Sequence, residues 1–222
     1  MWLFCRHTKR HVQRIFAFAV PFAQNFLTMK RLRLFAQLSL PVSSFAQTPE
    51  ISLTQGLVIR QSCRIKAGQY QLAANKETFK DSVDLSALQS VISIEGEDIT
   101  VDFQNAELGS TLDIKRPDLF TGLAIHVKGK NITLKNAVVH GFKIALFANG
   151  VDSLRLENCN FSYNYRPRLR SIREREDFSD WLSYHHNEKD EWMRYGAAFY
   201  LKNCRAALIR NCHATGGQNA LL

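Results

Sequence analysis

From about residue 57 onward, apolar and polar positions alternate in short bursts of three or four residues, broken at Gly, Asn or Asp. Alternation with a period of two predicts short β-strands with one buried face. The segments Ile92-Ser-Ile-Glu-Gly-Glu-Asp-Ile-Thr-Val101 and Ile125-His-Val-Lys-Gly-Lys-Asn-Ile-Thr-Leu134 show the unit. Ile92/Ile125, Gly96/Gly129, Ile99/Ile132 and Thr100/Thr133 are identical, and the other apolar positions swap like for like. Each segment predicts two short strands with a turn at its glycine. Further copies follow in register. Ile132-Thr-Leu-Lys-Asn136 matches Leu154-Arg-Leu-Glu-Asn158, and Leu156-Glu-Asn-Cys159 matches Ile209-Arg-Asn-Cys212. Ala145-Leu-Phe147 aligns with Ala198-Phe-Tyr200 at the same spacing as that last pair.

Repeats this short do not make a propeller blade, and they lack a leucine-rich signature or a helical stripe. They predict a solenoid in which each copy makes one turn and stacks on the last, about 4.8 Å away. Ile132, Leu134, Leu154 and Leu156 point inward in this register, while Thr133, Lys135, Arg155 and Glu157 face solvent. The expected fold is all-β, a right-handed parallel β-helix spanning residues 47–222. Gly216-Gly-Gln-Asn-Ala-Leu-Leu222 matches Gly141-Phe-Lys-Ile-Ala-Leu-Phe147, so the helix is expected to be truncated at its C-terminus, inside a further turn.

Residues 162–195 interrupt the repeat and predict a long, partly helical insertion. Ser171 and Glu174 are spaced as a capping box, and Phe178, Trp181, Leu182 and His185 then share one helical face. The stretch mixes Arg and Lys with Asp and Glu and carries both Trp181 and Trp192. One reading makes it a wall of a carbohydrate groove, with Trp181, Trp192 and Tyr195 stacking on sugar rings and His185 and Asp190 hydrogen-bonding hydroxyls. The other makes the aromatics anchors that hold the loop to the solenoid.

Asn136, Asn158 and Asn211, each directly after an outward charged residue, resemble the asparagine ladder of the pectate-lyase-like superfamily. Asn105 is a fourth rung if the register slips by two residues. Ile65-Lys-Ala-Gly-Gln-Tyr-Gln-Leu72 looks like the opening strand of such proteins. The resemblance identifies architecture and leaves the chemistry open, because the fold hosts lyases, hydrolases, epimerases and binders. Lyases on it need a carboxylate neutraliser and a base. The local candidates are Arg194 as neutraliser, His185 or His186 as base and Asp190 or Glu191 as its orienter, with simple solvated loop residues as the alternative. No metal-ligand spacing is present, and the cofactor is unassigned; Ca2+ enters by fold analogy alone. Asp102, His140 and His213 are assigned no special role.

The 222-residue chain has 29 Lys+Arg against 20 Asp+Glu and a formal charge of +9. That balance would suggest nucleic acid or an anionic membrane, but residues 1–46 carry seven basic residues and no acid. From Met29, a basic start leads into a mildly apolar run that ends Ser44-Phe45-Ala46, the pattern of a signal peptide cleaved between Ala46 and Gln47. Met29 is then the expected true start. Neither apolar run of the leader reaches the roughly 20 residues of a membrane span. With the leader removed, the nucleic-acid reading rests only on the Arg166–Arg175 cluster, which is interleaved with acids. Export permits disulfides among Cys63, Cys159, Cys204 and Cys212. Cys159 and Cys212 share a rung, either as a disulfide or as stacked free thiols.

Two functions are carried forward. One is a secreted or periplasmic protein that acts on an extended acidic polysaccharide by lyase or hydrolase chemistry. The alternative is a non-catalytic glycan-binding or accessory module.

Overall fold

The computed structural model describes residues 48–75, 89–180 and 196–222. These are all-β, with parallel sheets and almost no helix, an arrangement compatible with a β-solenoid. The only helical pieces among the described residues are two single 3-10 turns, Pro117–Leu119 and Phe178–Asp180.

The strands fall into three parallel sheets. Five lie in one: β2 (Leu57–Ile59), β5 (Ser90–Glu97), β8 (Leu123–Lys130), β11 (Ile144–Asn149) and β13 (Ala197–Lys202). Six form the second: β1 (Glu50–Ile51), β3 (Cys63–Ile65), β6 (Thr100–Asp102), β9 (Thr133–Lys135), β12 (Arg155–Glu157) and β14 (Leu208–Arg210). The third holds β4 (Gln69–Leu72), β7 (Glu107–Ser110) and β10 (Val138–His140). The chain visits the sheets in the same order in successive repeats.

Pairing follows the sequence repeats. Ile92 lies beside Ile125, Arg155 beside Thr133, Leu156 beside Ile209 and Phe147 beside Tyr200. Stacking like on like buries Val101, Leu134 and Leu156 completely, together with Phe103, Phe142 and Phe161. Burial of this kind stabilises by about 25 cal/mol per Å² of apolar surface.

Four local expectations are corrected. Gly96 and Gly129 do not make turns; they lie inside β5 and β8, and the chain turns at Asp98 and Asn131, at φ 55° and 49°. The glycines are needed because the two backbones approach closely there. Residues 65–72 form two strands rather than one, broken at Gly68 between β3 and β4. The five-stranded sheet is not half-exposed. Its inward residues Ile125 and Leu146 and its outward residues His126 and Phe147 are all buried, so residues 123–127 of β8 and 144–148 of β11 are buried at consecutive positions, as expected of strands covered on both faces. The capping box of Ser171 and Glu174 does not form. Ile172 and Arg175 pair antiparallel across a tight turn, and the Ser171 hydroxyl accepts from the Asp177 amide at 2.9 Å. The Asp180 carboxylate takes the amides of Arg170 and Ser171 and folds the segment back on itself.

Backbone pairing continues through Tyr165, whose amide donates to Phe142 O and whose carbonyl accepts from the Gln218 amide. Residues 162–165 of the predicted insertion are therefore still bonded to both neighbouring repeats. Buried Asn164 fixes this stretch, accepting from the Phe142 amide and donating to Val139 O and Phe161 O.

Asn136, Asn158 and Asn211 each adopt a left-handed backbone, at φ 54°, 54° and 53°. Asn211 Nδ2 donates to Asn158 Oδ1 (3.2 Å), Asn158 Nδ2 to Asn136 Oδ1 (3.4 Å), and Asn136 Nδ2 to Asp102 Oδ1 (2.8 Å). The side-chain row thus ends on Asp102, a residue assigned no role from sequence. Asn105 aligns only by its backbone, its amide donating to Asn136 O at 3.0 Å, while its side chain is exposed. Replacing Asn136 by Ala removes two side-chain bonds and forces a Cβ residue without polar compensation into αL. The expected loss is about 2 kcal/mol. Asn136→Gly should lose less, and equal losses in urea unfolding would show that the left-handed backbone contributes nothing to the cost.

Cys63, Cys159, Cys204 and Cys212, the cysteines of the described residues, are free thiols. Cys159 is buried, and burial pushes its thiol up to about 12, with Cys212 beside it adding to the shift. Stacked thiols, rather than a disulfide, occupy this rung.

Candidate functional site

Trp181, His185, His186, Asp190, Glu191, Trp192, Arg194 and Tyr195 lie outside the described residues, as do Ala46 and Gln47 at the expected cleavage point. The site that is described lies at the root of the excursion, where residues 166–168 meet the loop after β7.

That loop carries Lys115-Arg-Pro-Asp118, and the excursion begins Arg166-Pro-Arg168. The Arg166 amide donates to Pro117 O at 3.3 Å and joins the two segments. Proline at 117 and 167 limits the backbone freedom of both. Together Lys115, Arg116, Pro117, Asp118, Arg166, Pro167 and Arg168 line a pocket of about 250 Å³. It is close to the lower end of the roughly 300–1,000 Å³ range of small-molecule sites, enough for one unit of a longer ligand.

The charge in this pocket is four cations to one carboxylate. Arg116 grips Asp118 as a fork, Nε to Oδ1 at 3.1 Å and Nη2 to Oδ2 at 3.0 Å. This hydrogen bonding, followed by its Coulomb attraction, holds the Asp118 carboxyl below its usual range. Among the described residues, Lys115, Arg166 and Arg168 have no carboxylate within ion-pair distance. An anion entering the pocket therefore meets cations that need not first be released from partners.

Lys143 directly precedes β11 and packs against Tyr165, the residue before Arg166. Its backbone amide donates to Thr121 O and Gly122 O, and its Nζ lies 3.5 Å from the centroid of the Tyr165 ring. Burial brings the amine down to about 8. The ring favours the ammonium by about 0.5–2 kcal/mol, yet it offers no acceptor in place of the lost water. The Tyr165 phenol is pushed up by burial first and by the Asp118 charge second.

A separate polar cluster lies on the three-stranded sheet. His140 Nε2 meets Glu107 Oε1 at 2.8 Å, and Gln69 Nε2 donates to Glu107 Oε2 at 3.1 Å. Gly109 leaves room for these side chains, since a Cβ there would strike the His140 ring and the Gln71 amide. Ser162, one repeat further on, is not available to this pair as a nucleophile. Its hydroxyl donates to Asn160 Oδ1 and accepts from the Thr215 amide.

Among the described residues there is no group of three or more His, Cys, Asp or Glu placed to hold a metal ion, and no helix long and apolar enough to cross a membrane. The pocket escaped the sequence reading because its halves are some fifty positions apart. The usable signal was the Arg-Pro pair that occurs in both, at Arg116-Pro117 and Arg166-Pro167.

Comparison with protein-family models, curated proteins and solved structures finds no match for this chain.

Proposed function

We propose that this is an exported right-handed parallel β-helix protein, of the pectate-lyase-like type, that binds or acts on an extended acidic polysaccharide. The observation that carries the reading is the cationic pocket at the root of the excursion, where, among the described residues, Lys115, Arg166 and Arg168 have no carboxylate within ion-pair distance. The in-register parallel pairing and the amide row from Asn211 to Asp102 support the architecture. A single fixed carboxylate beside several cations suits a ligand that presents both carboxylates and hydroxyls.

One observation favours a binding module over a hydrolase. Among the described residues that line the pocket the one carboxyl, Asp118, is held ionised by Arg116 and so is a poor proton donor.

Binding of the full-length protein to polygalacturonate, alginate and hyaluronan tests the reading, with a neutral glucan as control. Affinity for at least one acidic polymer should fall steeply with salt and drop about tenfold or more in the Arg166→Ala/Arg168→Ala double variant. Unsaturated uronate products, detected by their ultraviolet absorbance, would mark a lyase; binding without products would mark the module. Equal affinity for neutral and acidic polymers would sink the proposal.

A further inference from the structure

We propose that Cys159 and Cys212 form a two-coordinate site for a soft monovalent metal ion of the Cu(I) class, held between two neighbouring repeats. The inference is independent of the cationic pocket and of any polysaccharide.

The register brings the pair together. Glu157 lies beside Arg210 in the ladder of β12 and β14, and Asn160 bridges to His213. Cys159 and Cys212 fall between those two pairs, opposite one another. Their thiols make the same contacts one repeat apart. Cys159 Sγ is 3.8 Å from Leu134 O and 3.4 Å from Glu157 O. Cys212 Sγ is 3.5 Å from Leu156 O and 3.4 Å from Arg210 O. Leu134 and Glu157 are the register partners of Leu156 and Arg210. Side chains that point the same way on neighbouring strands keep the strand spacing, so the two sulfurs are about 4.8 Å apart.

That separation decides which chemistry fits. A disulfide needs about 2 Å between sulfurs, and closing to it would pull the thiols off their carbonyls. A thiolate–metal bond is about 2.3 Å long, so an ion held in line between two sulfurs spans about 4.6 Å. The rung is already set close to that length. Tetrahedral ions such as Zn2+ take four ligands, and among the described residues no third His, Cys, Asp or Glu joins the pair to make a larger site. Soft thiolate donors select Cu(I), an ion that two of them in line satisfy.

Burial acts in the same direction. Cys159 is buried and Cys212 half-buried, so an ion can enter past Cys212 and come to rest largely out of water. Burial pushes the Cys159 thiol up to about 12, with Cys212 beside it adding to the shift. A bare thiolate is therefore disfavoured there, and Cys159 keeps its proton until an ion takes the proton's place. Binding is a proton exchange. Each sulfur loses one proton, two sulfur–metal bonds form, and the complex carries one net negative charge where the empty dithiolate would carry two. No electron is transferred, so the ion enters and leaves as Cu(I).

Full-length protein, reduced and kept under nitrogen, is titrated with Cu(I) against the competing chelator bicinchoninate, with Ag(I) as a redox-inert analogue. About one ion per chain should be retained with release of about two protons, and X-ray absorption should show two sulfur neighbours and no nitrogen. Cys159→Ala and Cys212→Ala should each weaken retention about tenfold or more. Cys5→Ala, Cys63→Ala and Cys204→Ala should leave it unchanged. Stoichiometry, proton release and the absorption spectrum are read on the unaltered protein, so the test stands if a variant misfolds. Retention that survives the loss of either cysteine, a third ligand in the spectrum, or no ion held against the chelator would overturn the inference.

Discussion

Gly129→Ala should lower the free energy of unfolding by about 3–5 kcal/mol, near the upper end of single-residue effects. Gly129 has φ 127°, a region that L side chains rarely adopt, and lies in β8 directly beside Gly96 of β5. A Cβ on Gly129 would penetrate the Gly96 carbonyl oxygen and come within 2.9 Å of its carbon. Those atoms are backbone in the most extensively paired part of the five-stranded sheet, so they cannot swing aside as a flexible side chain could. The strain is relieved only by parting β5 from β8, which breaks ladder bonds and opens the apolar stack beneath. Gly150→Ala is the control. Gly150 also has positive φ, at 66°, but a Cβ there meets nothing within 4 Å. It should cost only the left-handed penalty, about 1–2 kcal/mol. Urea unfolding of the two variants side by side decides the matter, and similar losses would mean that close backbone approach is not what selects glycine at 129.

The second large effect is a pH dependence traced to one histidine. His126 points outward from β8 into a buried layer, 2% exposed, tilted against Phe147 with ring centroids 5.1 Å apart. Its Nδ1 has no hydrogen-bond partner. Burial, and then the Lys128 charge, bring it down to about 4, with Glu95 opposing only weakly. The unfolded chain takes up a proton at this ring below about pH 6.5, whereas the folded chain refuses it until about 4. Stability contributed by neutral His126 is therefore complete above pH 6.5 and is lost as pH falls toward 4. The slope approaches about 1.4 kcal/mol per pH unit, for a total of order 3 kcal/mol. His126→Phe should remove this slope and, by deleting an unsatisfied buried nitrogen, gain about 1 kcal/mol at neutral pH. The difference between the two proteins isolates the histidine from carboxylates that titrate lower. Parallel pH profiles would indicate that water reaches Nδ1 in solution.

The register of this chain is legible in its sequence because a parallel stack places equivalent residues side by side. Ile92 aligns with Ile125 and pairs with it in the sheet; the same holds for Leu156 with Ile209, for Leu146 with Phe199 and for Phe199 with Leu221. What the repeat hides is any feature in which neighbouring copies must differ. The close approach of Gly96 and Gly129 looks like two turns when read one copy at a time. Asp102 closes the amide row because a carboxylate can accept what another Asn would accept, yet nothing in its own segment marks it. Alternation predicted exposure for His126, whereas its neighbours Ile125 and Val127 on the other face are buried and so is His126 itself. The pocket is harder still, since Arg116 and Arg166 meet only through the tertiary placement of two loops. The aromatic and histidine residues singled out between Trp181 and Tyr195 belong to the excursion, where no periodicity constrains a reading.

The spacing of the rungs has a consequence for how this protein can diversify. Asn136 and Asn158 are 22 residues apart, Asn158 and Asn211 are 53 apart, yet both pairs meet in the same way. The entropy of closing a flexible loop grows only as the logarithm of its length, so the longer connection costs about 0.8 kcal/mol more than the shorter. That is less than one good hydrogen bond to a charged group. Chain length beyond Tyr165 is thus almost unregistered by the stack that Glu157 and Arg210 hold together. Insertions and deletions there can drift under selection for what the loop touches, while the scaffold remains thermodynamically indifferent to them.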